Sequence, residues 1–304
     1  MVLSPLWLPV TLAAALFQCW RTALQQRLRG QLSVNGAAVV RYLYGVPVGA
    51  ALLTLYLLAF GGGLPAPNAA FLMFCAAGGL AQILGTNLLI MAFGHRGFAV
   101  GTAYAKTEAV QGAVLALALL GERISPLAWF GIAVGVAGVL WLSLAGRDLS
   151  PRELLRATAQ PAALCGLAAG TGFAFSAVLI KAANTSLPGD DPILRALVAL
   201  VVINTMQTVM QGGWLLAREP GQARAVFASW RSSAQVGALS ACGSACWFTG
   251  FALAPVALVR AVGQVEILFT LLFSRFYLGE SPTRSEIGGA LVLVLGVVLV
   301  LVGR

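Results

Sequence analysis

Charge is what this sequence has least of. Only 10% of its 304 residues are Asp, Glu, Lys or Arg, against 59% that are apolar, and the mean hydropathy is +0.89. A water-soluble domain carries roughly 25% charged residues, so this chain could not cover a water-facing surface. That excludes a soluble enzyme, a disordered protein and a nucleic-acid-binding domain. Histidine is nearly absent as well, with His95 alone in a short turn. No GxxxxGK[ST] loop is present to cradle ATP, and no HExxH to hold zinc. With one histidine and few acids in apolar runs, nothing supplies a nucleophile–base pair or a metal-dependent membrane enzyme. The chain therefore reads as no enzyme, and no cofactor is expected.

The five cysteines, Cys19, Cys75, Cys165, Cys242 and Cys246, all fall inside apolar runs. Thiols there act as small hydrophobes, so no disulfide framework follows. Cys242 and Cys246 share a helix face at i, i+4, but no His or Asp stands near them to complete a metal site.

What remains is apolar sequence in long blocks. A spanning helix needs about 20 apolar residues, and ten blocks of that kind lie at 6–25, 36–60, 69–93, 98–120, 126–145, 161–182, 193–217, 234–253, 256–278 and 283–303. The first is read as a span and not a cleaved leader, because Met1 to Pro5 carry no charge and nine further apolar blocks follow. The breaks are turn-rich, as at Gly61-Gly62-Gly63-Leu64-Pro65 and Leu187-Pro188-Gly189-Asp190. Ser125-Pro126 and Ser281-Pro282 each put a capping hydroxyl before a proline at the first helical position. Ser150-Pro151-Arg152-Glu153 reads as a capping box opening a short amphipathic helix near 151–158 on the membrane surface. The pairs Gly45/Gly49, Gly131/Gly135 and Gly166/Gly170 are GxxxG motifs that let helix backbones approach closely in lipid.

The two halves repeat. Glu108 is followed 14 residues later by Gly121-Glu122, and Glu266 is followed 14 residues later by Gly279-Glu280, so both pairs are separated by 158 positions. The same shift carries Phe17 to Phe175, Gly131 to Gly289 and Gly138 to Gly296. Arg41 and Arg195 open the second span of each half, at a shift of 154. The halves are thus 1–147 and 161–304, each of five spans, joined by a linker over 148–160. Five is odd, so the second half enters the membrane from the opposite side. Inverted repeats of this kind suit alternating access to a site at the midplane.

Ionisable residues inside spans cost about 2.5–3.5 kcal/mol each at a helix centre, so each is a functional candidate. The central ones are Lys106 and Glu108 in the fourth span, and Arg260 and Glu266 in the ninth. Lys106 and Glu108 are two residues apart, point to nearly opposite sides and cannot neutralise one another. Tyr104 shares a face with Glu108, and Gln264 with Arg260. The expectation is that Glu108 and Glu266 flank a central cavity, with Lys106, Arg260, Tyr104 and Gln264 contributing to substrate binding. Burial disfavours the charged form of a carboxylate, so these acids could load and release a proton and couple it to a solute. The alternative is a static interhelical ion pair, for example Glu108 with Arg260.

The first span carries Gln18, Arg21 and Gln25 on one face. Gln18 is the deeper residue and joins the cavity candidates, while Arg21 is expected to snorkel to the interface. Arg41, Arg195 and Lys181 are expected to snorkel or to cap carbonyls. Glu122 and Glu280 are expected to accept backbone N–H groups at the next helix start. Asn184-Thr185-Ser186 matches a glycosylation sequon, without force in a bacterial chain.

On these residues the chain resembles the drug/metabolite transporter superfamily, and within it the ten-span permeases with two EamA-type domains. The resemblance rests on the span count, the five-span halves, Arg41 and Arg195, and the pattern from Glu108-Ala109-Val110-Gln111 to Leu120-Gly121-Glu122 with Gly131 and Gly138, repeated from Glu266 to Gly279-Glu280 with Gly289 and Gly296. Family members often carry a proline after the mid-span acid. Ala109 and Ile267 stand there instead, which gives a local helix break weaker support. The resemblance implies a multi-pass inner-membrane secondary transporter that exports small metabolites, amino acids or drugs. The partners would then be a small-molecule substrate and the lipid bilayer, with no nucleic acid and with a homo-oligomer left open. A non-transporting sensor or scaffold is the alternative.

Orientation has two readings. Loops after spans one, five and seven hold Arg27, Arg29, Arg147, Arg152, Arg156, Arg218, Arg224 and Arg231, whereas the loop after span six holds Asp190 and Asp191. Positive charge stays inside, which puts both termini outside. The family resemblance implies both termini inside.

Overall fold

The computed structural model describes residues 4–94, 104–144, 161–273 and 283–304, which form helices and turns with no strand among them. In chain order the helices are α1 (Trp7–Leu28), α2 (Val34–Leu43), α3 (Gly45–Phe60), α4 (Ala69–Gly94), α5 (Glu108–Leu120), α6 (Pro126–Leu144) and α7 (Pro161–Ser186). They continue with α8 (Pro192–Arg218), α9 (Pro220–Ala228), α10 (Trp230–Leu253), α11 (Val256–Gly263), α12 (Glu266–Phe273) and α13 (Arg284–Val302). Six helical segments are long and apolar enough to cross a membrane: Val34–Phe60, Ala69–Ala92, Pro161–Ser186, Pro192–Arg218, Trp230–Leu253 and Arg284–Val302. The chain is a multi-pass membrane protein. Its apolar side chains are accordingly left outward on many helices, as at Leu58, 79% exposed at the tip of α3.

Local chemistry sets the helix ends. Ser33 caps α2 by accepting from the Gly36 N–H, and Asp191 caps α8 by accepting from the Ile193 and Leu194 N–H groups, with Pro192 in the first turn. Ser125 caps α6 through the Ala128 N–H. At α13 the cap is Thr283, with Glu286 completing a capping box. The expected Ser281-Pro282 start lies outside the described residues, as do Ser150-Pro151, the 151–158 helix, His95, Gly279 and Glu280. Gly121 ends α5 with φ 66°, a left-handed turn that suits glycine. One helix was not expected: α9 sits in the connection between α8 and α10, started by Pro220.

The chain divides into two compact units, neither of which follows a sequence half. The first comprises Met1–Ile83 and Ser176–Ala254, the second Leu84–Phe175 and Pro255–Arg304. The boundaries fall within α4 and α7.

In the first unit, α1 packs along α10, and α2 and α3 pack against α8 and α10. Glycine allows this closeness: a Cβ on Gly243 would meet the Phe17 Cβ at 3.3 Å. Leu28, Leu32, Ala37, Val40, Leu215 and Val236 form a core at the end of the unit where α1 turns into α2.

In the second unit the tightest packing is between α6 and α13. A Cβ on Gly131 would come 2.7 Å from the Val300 nitrogen, and one on Gly289 would come 2.8 Å from the Leu142 nitrogen. Gly138 abuts Leu293 and Gly296 abuts Gly135, both closer still. The glycines that match across the 158-residue shift, Gly131 with Gly289 and Gly138 with Gly296, thus line the two sides of one seam.

Candidate functional site

The helices that carry Glu108 and Glu266 are interrupted at the same relative place. Lys106 and Thr107 form a turn immediately before α5, and Gln264 and Val265 form a turn between α11 and α12. The 158-residue shift maps one turn onto the other and each glutamate onto its counterpart. Both acids therefore occupy the first position of a half-helix, where the helix dipole favours a carboxylate. No proline causes these breaks, and proline is only one of several ways to interrupt the helical ladder.

The freed groups find partners across the two interruptions, all within the second unit. Lys106 Nζ lies 2.7 Å from Glu266 Oε2. Arg260 Nη1 lies 3.4 Å from Glu108 Oε1, a looser pair. Arg260 Nη2 also donates to the Phe173 carbonyl at 3.2 Å. Gln264 Nε2 donates to the Lys106 carbonyl at 2.8 Å, holding one broken turn against the other. The charges are thus swapped between helices: each break's acid is met by a cation from the other. Glu108, Arg260 and Glu266 are all buried and Lys106 is half-buried.

Five of the seven expected site residues, Lys106, Glu108, Arg260, Gln264 and Glu266, converge here. Tyr104 stands one turn upstream, its carbonyl accepting from the Thr107 hydroxyl at 2.6 Å. Because the helix breaks between them, a shared face for Tyr104 and Glu108, or for Arg260 and Gln264, no longer follows from spacing. Gln18 belongs to the first unit, where its Oε1 accepts from Trp247 Nε1 at 3.0 Å.

Beside the paired charges lies a void of about 10 Å³ lined by Ala109, Ile132, Gly135, Ala261, Gln264 and Gly296. It has room for about one water. Gln264 Oε1 is buried with no hydrogen-bond partner among the described residues. Sequence reasoning passed over a polar chain alongside, in which Thr171 Oγ1 donates to Gln111 Oε1 at 2.7 Å and Gln111 Nε2 donates to Thr107 Oγ1 at 2.9 Å. Its signal was present in the i, i+4 spacing of Thr107 and Gln111. Glu122 does accept a backbone N–H at a helix start, that of Val256 in α11, at 2.8 Å.

The first unit holds a different polar interior. Arg21 and Arg41 do not snorkel; they are 7% and 6% exposed. Arg41 Nε donates to Ser240 Oγ at 3.2 Å and its guanidinium lies over the Tyr42 ring. Lys181 does reach a carbonyl, that of Ala254 at 2.7 Å, and Arg195 reaches that of Leu187 at 3.5 Å. Buried Asn204, Gln207 and Gln211 form an amide row on α8 that was overlooked. Gln207 Nε2 donates to the Gly79 carbonyl and to Gln82 Oε1.

The chain is thus a helical multi-pass membrane protein with paired charges at matching helix interruptions. Residues 160–302 match the model of the EamA-like transporter family. The family is one of membrane transporters. Among solved structures the fold is similar to a protein described as "Crystal structure of protein", with TM-score 0.70 and 17% identity over 96% of this chain and 98% of that one. At that identity the likeness shows the fold alone. No curated protein matches the sequence.

Proposed function

We propose that this protein is a secondary active transporter that exports small metabolites, amino acids or drugs across the inner membrane by alternating access. Its ten spans form two inverted five-helix repeats, 1–147 and 161–304, joined by a linker over 148–160. The reading is carried by the 158-residue correspondence at the helix breaks and by the reciprocal pairs Lys106–Glu266 and Arg260–Glu108. Each pair joins the two repeats. Their breaking and remaking is a natural two-state element, because a buried ion pair is costly to leave half-made.

In this mechanism Glu108 and Glu266 carry the coupling proton. Protonation of either releases its cation, Arg260 or Lys106, which is then drawn to a solute group or to the remaining carboxylate. Gln264 and Tyr104 position the broken turns. Purified protein in liposomes, given a pH gradient and a solute picked by metabolite profiling, tests this. Glu108→Gln and Glu266→Gln should each abolish gradient-driven transport while leaving the protein folded. Intact proton-driven transport in both variants would end the coupling proposal.

A second reading, a non-transporting sensor or scaffold, is favoured by one observation: the central charges of the second unit are mutually paired. It expects no solute flux in wild-type liposomes for any solute that profiling picks.

A further inference from the structure

The α8–α9–α10 corner of the first unit repeats one pattern three times: an exposed aromatic with an exposed arginine within a helical turn of it. At the end of α8, Trp214 and Arg218 stand at i, i+4. On α9, Arg224 and Phe227 stand at i, i+3. At the start of α10, Arg231 follows Trp230, its guanidinium 5.6 Å from the ring centroid. Trp214, Phe227 and Trp230 are 46%, 60% and 56% exposed. The opposite face of α9 is the anchored one, with Ala223 and Val226 buried in the core formed by Leu28, Leu32, Val40 and Leu215. The Tyr44 hydroxyl adds a hydrogen bond to the Val226 carbonyl at 3.1 Å. The outward face of α9 is thus basic and aromatic, not simply polar.

Charge at this corner is of one sign. Arg27 and Arg29 of the α1–α2 connection belong to the same end, because the start of α2 is tied to the start of α9. Ser33 Oγ donates to Glu219 Oε2 at 2.5 Å, Asn35 Nδ2 donates to Glu219 Oε1 at 2.9 Å, and Gln222 Oε1 accepts from the Ser33 N–H at 2.8 Å. Among the unit's described residues Glu219 is the one acid at this end, since Asp190 and Asp191 lie beyond the other end of α8. Its carboxylate is occupied by Ser33 and Asn35, and none of the five arginines is in an ion pair among the described residues. The level is set by the neighbours: α9 links the end of the apolar segment Pro192–Arg218 to the start of the apolar segment Trp230–Leu253. Its outward face therefore sits where acyl chains give way to headgroups.

We infer that the outward face of α9, flanked by Trp214 and Arg218 on one side and Trp230 and Arg231 on the other, is a binding site for anionic phospholipid of the surrounding leaflet. Aromatic side chains seat in the interfacial zone, and guanidinium forks match the phosphate oxygens of a headgroup. The headgroup supplies the counter-charge that the corner lacks, and each cation near the surface adds to the attraction. The occupant is a lipid and not free phosphate, because only a lipid brings acyl chains to cover Phe227 and the neighbouring Leu216, 62% exposed on α8. Glu219 and Gln222 join α9 to the start of α2, so a lipid held here also steadies the α1–α2 turn. Such a site is independent of solute transport and of the glutamate pairs.

The test titrates the full chain in detergent with phosphatidylglycerol and, separately, with phosphatidylcholine of the same chain length. Lipid retained by the recovered protein is quantified by mass spectrometry. Phosphatidylglycerol should bind the more tightly of the two. Arg224→Gln and Arg231→Gln should each weaken it about fivefold and leave phosphatidylcholine unchanged, while Phe227→Ser should weaken both lipids. Arg284→Gln removes an exposed arginine of the second unit and should change neither. Should the arginine variants not fold, salt and competition on wild-type protein give the same answer. Rising sodium chloride should release phosphatidylglycerol but not phosphatidylcholine, and sodium phosphate at equal ionic strength should release no more than chloride does. Equal affinity for the two lipids, undiminished phosphatidylglycerol binding in the double variant Arg224→Gln/Arg231→Gln, an equal loss in Arg284→Gln, or displacement specific to phosphate would overturn the site.

Discussion

The Lys106 ammonium reaches the Glu266 carboxylate at 2.7 Å across 160 residues of sequence, while Glu108, two residues from Lys106, turns to Arg260 instead. Side chains two apart on a helix face away from each other, so Lys106 is badly placed to pair with Glu108. The repeat resolves this by exchange, each helix break supplying the cation for the other's acid. The energetic consequence is cooperative: loss of one member leaves a buried charge on the partner helix.

Substitution at this pair should be strongly non-additive. Lys106→Met alone leaves the Glu266 carboxylate uncompensated and should cost about 3–5 kcal/mol. The double variant Lys106→Met/Glu266→Gln should recover most of that loss. Thermal unfolding in one detergent, read as a double-mutant cycle, checks it; equal losses for the single and the double variant would contradict the exchange.

The seam between α6 and α13 should tolerate no side chain beyond hydrogen. Gly296→Ala places a Cβ against the Gly135 backbone, and Gly289→Ala places one against Leu142. Overpacking of this kind costs about 1–3 kcal/mol. Gly213, on α8, has nothing within 4 Å of its Cβ position. Gly213→Ala should therefore stabilise by about 0.5–1 kcal/mol through helix propensity. Midpoints of thermal unfolding for the three variants should fall on opposite sides of wild type.

Removal of the α13 cap should act locally. Thr283→Ala loses the hydroxyl that accepts from the Glu286 N–H and donates to the Glu286 carboxylate, which keeps only the backbone N–H of residue 283. The expected cost is about 0.5–2 kcal/mol. Hydrogen exchange should quicken over the first turn of α13 and stay unchanged over α10.

Loop charge predicts the orientation. Arg27 and Arg29 lie at the α1–α2 connection and Arg218, Arg224 and Arg231 at or near the α8–α10 connection, whereas Asp190 and Asp191 lie at the α7–α8 connection. By the positive-inside bias, a reporter fused after Arg304 should score as external. A cytoplasmic score would favour the arrangement implied by the family resemblance.

Much of this was legible without coordinates where the physics is local. Apolar run length, the hydroxyl of Ser125 before Pro126 and the glycine at 121 depend on neighbours within a turn or two. The α13 cap illustrates the limit: Thr283 and Glu286 form a capping box that the sequence reading passed over. The α9 helix was passed over because nine residues without an apolar block do not register as a span.

The sequence by itself determined that the protein is helical and membrane-bound, that Glu108 and Glu266 are equivalents, and that Lys106 cannot neutralise Glu108. Those conclusions need only composition, the 158-residue repeat and helical periodicity. Which cation meets which acid, that both helices break before their glutamates without proline, and that Arg21 and Arg41 stay buried on neighbouring helices were decided by tertiary packing. Partners more than a hundred residues apart are selected by which helix faces meet, and that choice leaves no mark at either position alone.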